Sequence, residues 1–444
     1  MLEKTVSQVG TVTQYNYKTY VRLEKGFYQE NYIISCSIMP SKVKDGCIYQ
    51  YKNCTILWNH ELILEDLWVR DGKILNPEKL FFEEQAYADV QIDCKGCIIA
   101  PGYIDVQING AFGVDFSETD DVISGIQKVA KGLLEHGVTS FCPTIITSPA
   151  EVYQRVLPQV KKCNGSKDGA GVLGLHLEGP FINTSKKGAH NPDNIQSFPN
   201  GYKDVIGFYG NMDNVAMVTL APELDNSEDV ITELCKRGIK VSLGHTTADL
   251  ITGEKAINQG ACMITHLFNA MMSFHHRDPH LIGALTSNQI SPDRTLYYGL
   301  IADGIHTHPS ALRIAQRVHP KGLVLITDAI SAMGLPTGEH HLGNQRIEIK
   351  GKRATIAGTE TLCGSIAKLD YCVRNLLKNT GCGEVLALET ASLHPAEVLG
   401  VTDKKGTLSY GSDADFILLD KSLNVMATYI AGEKVWDSGL ISGL

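Results

Sequence analysis

No apolar run in this 444-residue chain reaches the length of about 18 residues that a membrane-spanning helix needs. The chain opens Met1-Leu2-Glu3-Lys4 without the apolar core of a signal peptide, and Glu3, Glu24 and Glu30 are out of place in a transit peptide. An excess of positive charge is missing too. Forty lysines and arginines face 49 aspartates and glutamates, a formal net charge of -9, so no global field draws in nucleic acid. The same balance gives no help with an anionic substrate, which a few local cations would have to hold. Cysteine is present at twelve residues, but a disulfide or zinc-ribbon framework is not. Cys94 and Cys97 form one C-x-x-C, and no second pair follows at ribbon spacing. Cysteines scattered through the apolar runs of a long chain are expected to be reduced, and the chain to be cytoplasmic, with no membrane or nucleic-acid partner.

What is present is the composition of a globular enzyme, 43% hydrophobic and 20% charged. The length exceeds a single core, so one large domain with a smaller one attached is expected. Short β-branched apolar runs recur at Ile98–Ile108, Val138–Ile146, Val172–Leu177, Val215–Leu220, Ile239–Leu243, Ala261–Thr265, Leu296–Ala302 and Leu323–Thr327. Most are continuously apolar, as strands buried on both faces are, and helical patterns separate them. Eight such units predict an α/β fold, a (β/α)₈ TIM barrel over residues 101–394, in preference to an open doubly wound sheet. Residues 51–100 and 395–444 carry short strands and tight turns, which predicts one small β-sandwich domain built from both ends of the chain. Residues 1–50 show no periodicity and are expected to be an N-terminal extension to which no role is assigned.

Catalytic groups of such a barrel sit where its strands end. The third run is followed by Glu178, the fifth by Gly244 and His245, the sixth by His266 and the eighth by Asp328. A lone histidine at a strand end is usually a packing residue, but two histidines and a carboxylate on three strand ends match a catalytic zinc site with one position open. A metal there would lower the pKa of water and polarise an amide carbonyl, with Asp328 as general base and then acid. The plainer role for Asp328 is to cap the next helix.

The strings LHLEGPF, KKGAHNP, LAPE, SLGHT, THLFNAM, ADGIH and LITDAISAMG, in this order, resemble the N-acetylglucosamine-6-phosphate deacetylases of the amidohydrolase superfamily. The resemblance covers residues 50 to 440. It implies hydrolysis of an acetamide to acetate and glucosamine 6-phosphate by a homodimer. It also implies metal ligation by Glu178, His245 and His266, catalysis by Asp328, and His190 polarising the carbonyl. Ala189 would touch the substrate and Asn269 and Ala270 the sugar phosphate through their backbone, Arg277 and His306 would bind the phosphate, and Asp303 with Leu362, Cys363 and Gly364 would line the sugar. Many members of the superfamily carry His-x-His at the first strand end, where this chain has Gln107 and Asn109. Amides are poor zinc ligands, so one divalent ion per subunit, zinc first among the choices, is expected. The alternatives are a deacetylase of an epimeric sugar phosphate, another amidohydrolase, or a non-catalytic scaffold. All four metal and acid/base residues are present, which argues against the scaffold.

Overall fold

The structure is a computed structural model, and it describes residues 16–23, 26–33, 46–342, 345–360 and 362–440. Eight strands, Tyr103–Ile108, Val138–Ile146, Leu175–Glu178, Val215–Leu220, Lys240–Leu243, Met263–Ile264, Tyr297–Leu300 and Leu323–Leu325, pair in parallel and in chain order. The barrel closes where the Asp328 N–H donates to the Gln107 carbonyl (2.9 Å) and the Asn109 N–H to that of Ala329 (2.8 Å). Seven of the strands lie within the apolar runs and the third passes its run by one residue, Glu178; nearly every residue in them is buried. Ile104, Val106, Met217, Met263, Ile301, Val324 and Ile326 fill the interior, as a packed barrel rather than a pore requires.

The helices outside follow from stripe and cap. In Val122–Leu133, Asp121 accepts from the Ser124 N–H (3.1 Å), and Val122, Ile126, Val129 and Leu133 bury one face against the barrel. Gly137, at φ 73°, then turns the chain into the second strand.

One run divides between two sheets. Ile98–Pro101 pairs with Phe416–Leu419 and Thr55–Trp58, and only Tyr103–Ile108 enters the barrel. Pro101 has no N–H for a continuing ladder, and Gly102 sits where a Cβ would lie 2.2 Å from Thr139 Oγ1. The outer segment joins a six-stranded sheet to which both ends of the chain contribute. This sheet packs on a four-stranded one over a core that includes Tyr51, Val69, Ile99, Phe416 and Tyr429, with the last two rings stacked at 4.5 Å. The domain boundary expected at residue 395 falls inside the helix Leu393–Leu399, whose Ala396 and Val398 pack into the barrel interior.

Two elements were not read from the sequence. An antiparallel sheet of Gly338–Leu342, Gln345–Lys350, Arg353–Ile356 and Leu362–Gly364 follows the eighth strand. Within the extension, Asn16–Leu23 and Gly26–Ile33 form a hairpin; residues 1–15 and 34–45 lie outside the described residues. Among the described residues no helix is long and apolar enough to cross a membrane.

Candidate metal and catalytic site

Glu178, His245, His266 and Asp328 converge at one end of the barrel. Oε1 of Glu178 lies 3.2 Å from His245 Nε2 and 3.0 Å from His266 Nε2, and the two Nε2 atoms are 3.0 Å apart. All three residues are buried. The His245 tautomer is fixed from behind. Its Nδ1 is 2.8 Å from the carbonyl of Lys186, which can only accept, so Nδ1 carries the proton and the Nε2 lone pair faces Glu178. Three electron-rich atoms at such spacing, with at most the His266 proton to share, make a donor set that suits a divalent cation. Nδ1 of His266 is buried without a partner among the described residues, so it adds no second constraint. Burial opposes charge on Glu178, but the two imidazoles hold the carboxylate well below its usual range. Burial likewise lowers His266, yet the hydrogen bond and charge of Glu178 win and push it up to about 9.

Donor spacing also admits His190, since Glu178, His190 and His245 offer atoms within 4.8 Å of one another. Hydrogen bonding argues for a different part. The Thr147 N–H donates to His190 Nδ1 (3.3 Å), and the Thr147 hydroxyl lies 2.6 Å from the same atom. Nδ1 therefore accepts, and Nε2 carries the proton. Burial, followed by the charge of His245, lowers His190 to about 3, so the ring is neutral. A neutral imidazole with its Nε2 proton in place can donate to an oxygen as negative charge develops there.

Asp328 is held by the amides that replace His-x-His. Asn109 Nδ2 donates to its Oδ1 (2.8 Å), and Gln107 Nε2 bridges that oxygen (3.3 Å) and Glu178 Oε1 (2.9 Å). Among the described residues no hydrogen bond engages Oδ2, which is left for a proton. Burial, then the charge of Glu178, raises Asp328 to about 6. Below it, Asp105 accepts from Thr327 Oγ1 (2.6 Å) and from the N–H groups of Thr327 and Gln107 (both 3.3 Å), so one carboxylate braces both sides of the barrel seam. His245, His266 and Asp328 all have positive φ, at 49°, 28° and 46°. Strained backbone at three converging strand ends is a mark of a functional site.

The other expected residues divide. Gly188, next to Ala189, lies against His245 and Ala270, which brings the 186–190 loop to the cluster. Asn269 folds back on the carbonyls of His266 and Leu267. Asp303 accepts from the Ile305 and His306 N–H groups (both 2.8 Å) and from His306 Nδ1 (2.7 Å), so it shapes its loop and leaves the His306 Nε2 for an outside partner. Leu362, Cys363 and Gly364 form the short strand beside the eighth strand end, where Ile330 N–H donates to Ser365 (2.9 Å). Arg277 stands exposed on the loop before Pro279, and no bond among the described residues joins it to His306 or the cluster. Sequence reading missed Thr147, Asn183 and Glu223. Only Glu223 had left a signal, in the LAPE string.

A parallel barrel with a carboxylate, two histidines and an aspartate on its third, fifth, sixth and eighth strand ends defines an amidohydrolase, a metal-dependent class, and residues 98–443 match the amidohydrolase family. The chain is 59% identical to the N-acetylglucosamine-6-phosphate deacetylase of Danio rerio over 402 residues, 90% of this chain and 100% of the relative. It is 58% identical to the protein of that name in Homo sapiens, over 88% of this chain and 96% of the relative. A variant of the Mycobacterium smegmatis deacetylase, solved in complex with N-acetyl-D-glucosamine-6-phosphate, superposes with a TM-score of 0.73 at 29% identity, covering 88% of this chain and 100% of that one. The chain belongs to the N-acetylglucosamine-6-phosphate deacetylase family of amidohydrolases.

Proposed function

We propose that this chain hydrolyses N-acetylglucosamine 6-phosphate to glucosamine 6-phosphate and acetate. The observation that carries this reading is the convergence of Glu178, His245 and His266 beside an Asp328 with one oxygen free. Glu178, His245 and His266 would hold one divalent cation, zinc by donor type. When bound, it supplies Lewis acidity, which lowers the pKa of water and polarises an amide carbonyl. His190 donates from Nε2 to the carbonyl oxygen of the acetamide as that oxygen gains charge. Asp328 Oδ2 takes a proton from the attacking water as the new C–O bond forms. It returns that proton to nitrogen as the C–N bond breaks, so that acetate and a free amine leave. Gln107 and Asn109 keep Oδ1 occupied and so present Oδ2 to the reaction. Arg277 and the Nε2 of His306 would take the phosphate, the former through a planar fork suited to phosphate oxygens. Ala189, Asn269, Ala270 and Leu362–Gly364 would line the sugar, with Asp303 holding His306.

The same reading assigns residues 51–100 and the chain past the helix Leu393–Leu399 to the β unit, and makes the chain a cytoplasmic homodimer. The eleven cysteines among the described residues are all free, in line with a reducing compartment. The test is acetate release from N-acetylglucosamine 6-phosphate, with and without a chelator, beside the unphosphorylated sugar and Asp328→Asn. Activity that vanishes with chelator, falls about 10²–10⁴-fold in the variant and is weak without the phosphate is the expected result. A folded, metal-loaded protein that releases no acetate overturns the assignment.

A further inference from the structure

The LAPE string places Glu223 just past the fourth strand, and it is the one motif acid that the chemistry above does not use. Its carboxylate is nonetheless the most heavily engaged in the neighbourhood. Oε1 accepts from the Thr247 N–H (2.6 Å), the Thr247 hydroxyl (3.0 Å) and Asn183 Nδ2 (2.9 Å), and Oε2 accepts from the Thr246 hydroxyl. All four donors belong to the two segments that seat His245. Thr246 and Thr247 follow it directly, at the point where the chain leaves the fifth strand with φ 49°. Asn183 begins the loop on the other side. Its N–H donates to the His245 carbonyl (2.8 Å), and three residues on, the Lys186 carbonyl fixes the His245 proton on Nδ1 (2.8 Å).

We propose that Glu223 is a positioning residue for the metal. It clamps the turn after His245 to the 183–186 loop, so that backbone strain, ring orientation and tautomer are set together and the Nε2 lone pair faces Glu178 and His266. The inference rests on the metal reading of that cluster. Its reasoning is electrostatic as well as geometric. A left-handed non-glycine residue is held only where its surroundings over-determine it. One carboxylate taking four hydrogen bonds from both flanks supplies that, and charge-assisted bonds are the stronger kind. Outer partners of this sort are worth about 10–100-fold in metal affinity.

Zinc affinity by chelator competition, for the full chain and for Glu223→Ala, Glu223→Gln and His245→Ala, tests the assignment. The wild type should bind zinc tightly and His245→Ala should not. Glu223→Ala should bind about 10–100-fold more weakly, while the unfolding temperature of the metal-free protein moves little. Glu223→Gln keeps the oxygen that takes three of the four bonds and should recover most of the affinity. At saturating zinc, the activity of Glu223→Ala should return towards wild type. If Glu223→Ala binds zinc as the wild type does, or if its affinity falls only in step with a loss of metal-free stability that Gln does not repair, Glu223 is a packing residue and the proposal fails. A wild-type chain that binds no zinc fails earlier, on the metal reading itself.

Discussion

Two buried aspartates on the barrel seam have pKa values raised first of all by burial, and each shift has a measurable consequence. Asp328 must be ionised to accept a proton, and burial with the nearby Glu178 charge raises it to about 6. Activity should therefore be lost as pH falls through about 6. A cation beside it pulls the same group down, which sets the acid limb of the loaded enzyme at 6 or below. The pH profile of kcat/KM checks this, and a limb above 7 would point to a different base. Asp105 is raised to about 7, first by burial, against the hydrogen bonds from Thr327 and Gln107 that lower it. The unfolded chain gives up that proton near pH 3.9, so the folded state loses stability as pH climbs from about 4 to 7, by something on the order of 4 kcal/mol. Asn in its place can keep the bonds from the two N–H groups and carries no charge. Asp105→Asn should gain stability relative to wild type at pH 8 and little at pH 4, read as denaturant midpoints. An equal shift at both pH values would mean that Asp105 does not titrate there.

At the scale of elements, the eight barrel strands were legible because strands covered on both faces are written as mostly apolar runs, and eight of them recur with helical patterns between. The change of sheet at Pro101-Gly102 was not legible, since proline and glycine interrupt many strands and the cause, Thr139, lies 37 positions away. Nor was Gly338–Gly364 read as a sheet. Its strand Gln345–Lys350 alternates charge with isoleucine, and from Arg346 to Lys350 only Ile347 and Ile349 are buried. For the site, the residues on strand ends could be found, while those that orient them, such as Thr147 and Glu223, act from neighbouring loops and leave no spacing to read. Gly179 shows how close these loops lie. At φ 80° it puts a notional Cβ 2.2 Å from Thr147 Oγ1, the hydroxyl next to His190 Nδ1. Gly179→Ala should cost about 1–3 kcal/mol of stability through overpacking, with more from the left-handed backbone, and should lower kcat by displacing His190. Adding Thr147→Ala relieves the clash but not the lost contact. The double variant should regain stability and not kcat, and joint recovery of both would detach His190 from Thr147.

For the whole molecule, the question is how many cations the barrel takes and what they do for the fold. One carboxylate and two neutral imidazoles leave a divalent ion with net positive charge, and further compensation is scarce where Gln107 and Asn109 stand. These amides turn their N–H groups toward Glu178 and Asp328, so they present positive dipole ends where the superfamily's second ion would need lone pairs. One ion per chain by elemental analysis is the expected count, and two would show that the amides can be turned. An ion held as proposed would bind groups from the third, fifth and sixth strands, which are near neighbours only in the folded barrel. Its binding free energy is thus added to folding, about 2.7 kcal/mol when free metal stands at 100 times Kd. Unfolding temperature should begin to rise as free zinc passes Kd and go on rising with its logarithm, activity should return where that rise sets in, and a chelator should reverse both. If activity half-returns at a zinc concentration far from the one at which the thermal shift sets in, the stabilising and catalytic ions are different ions, and the single-ion site fails.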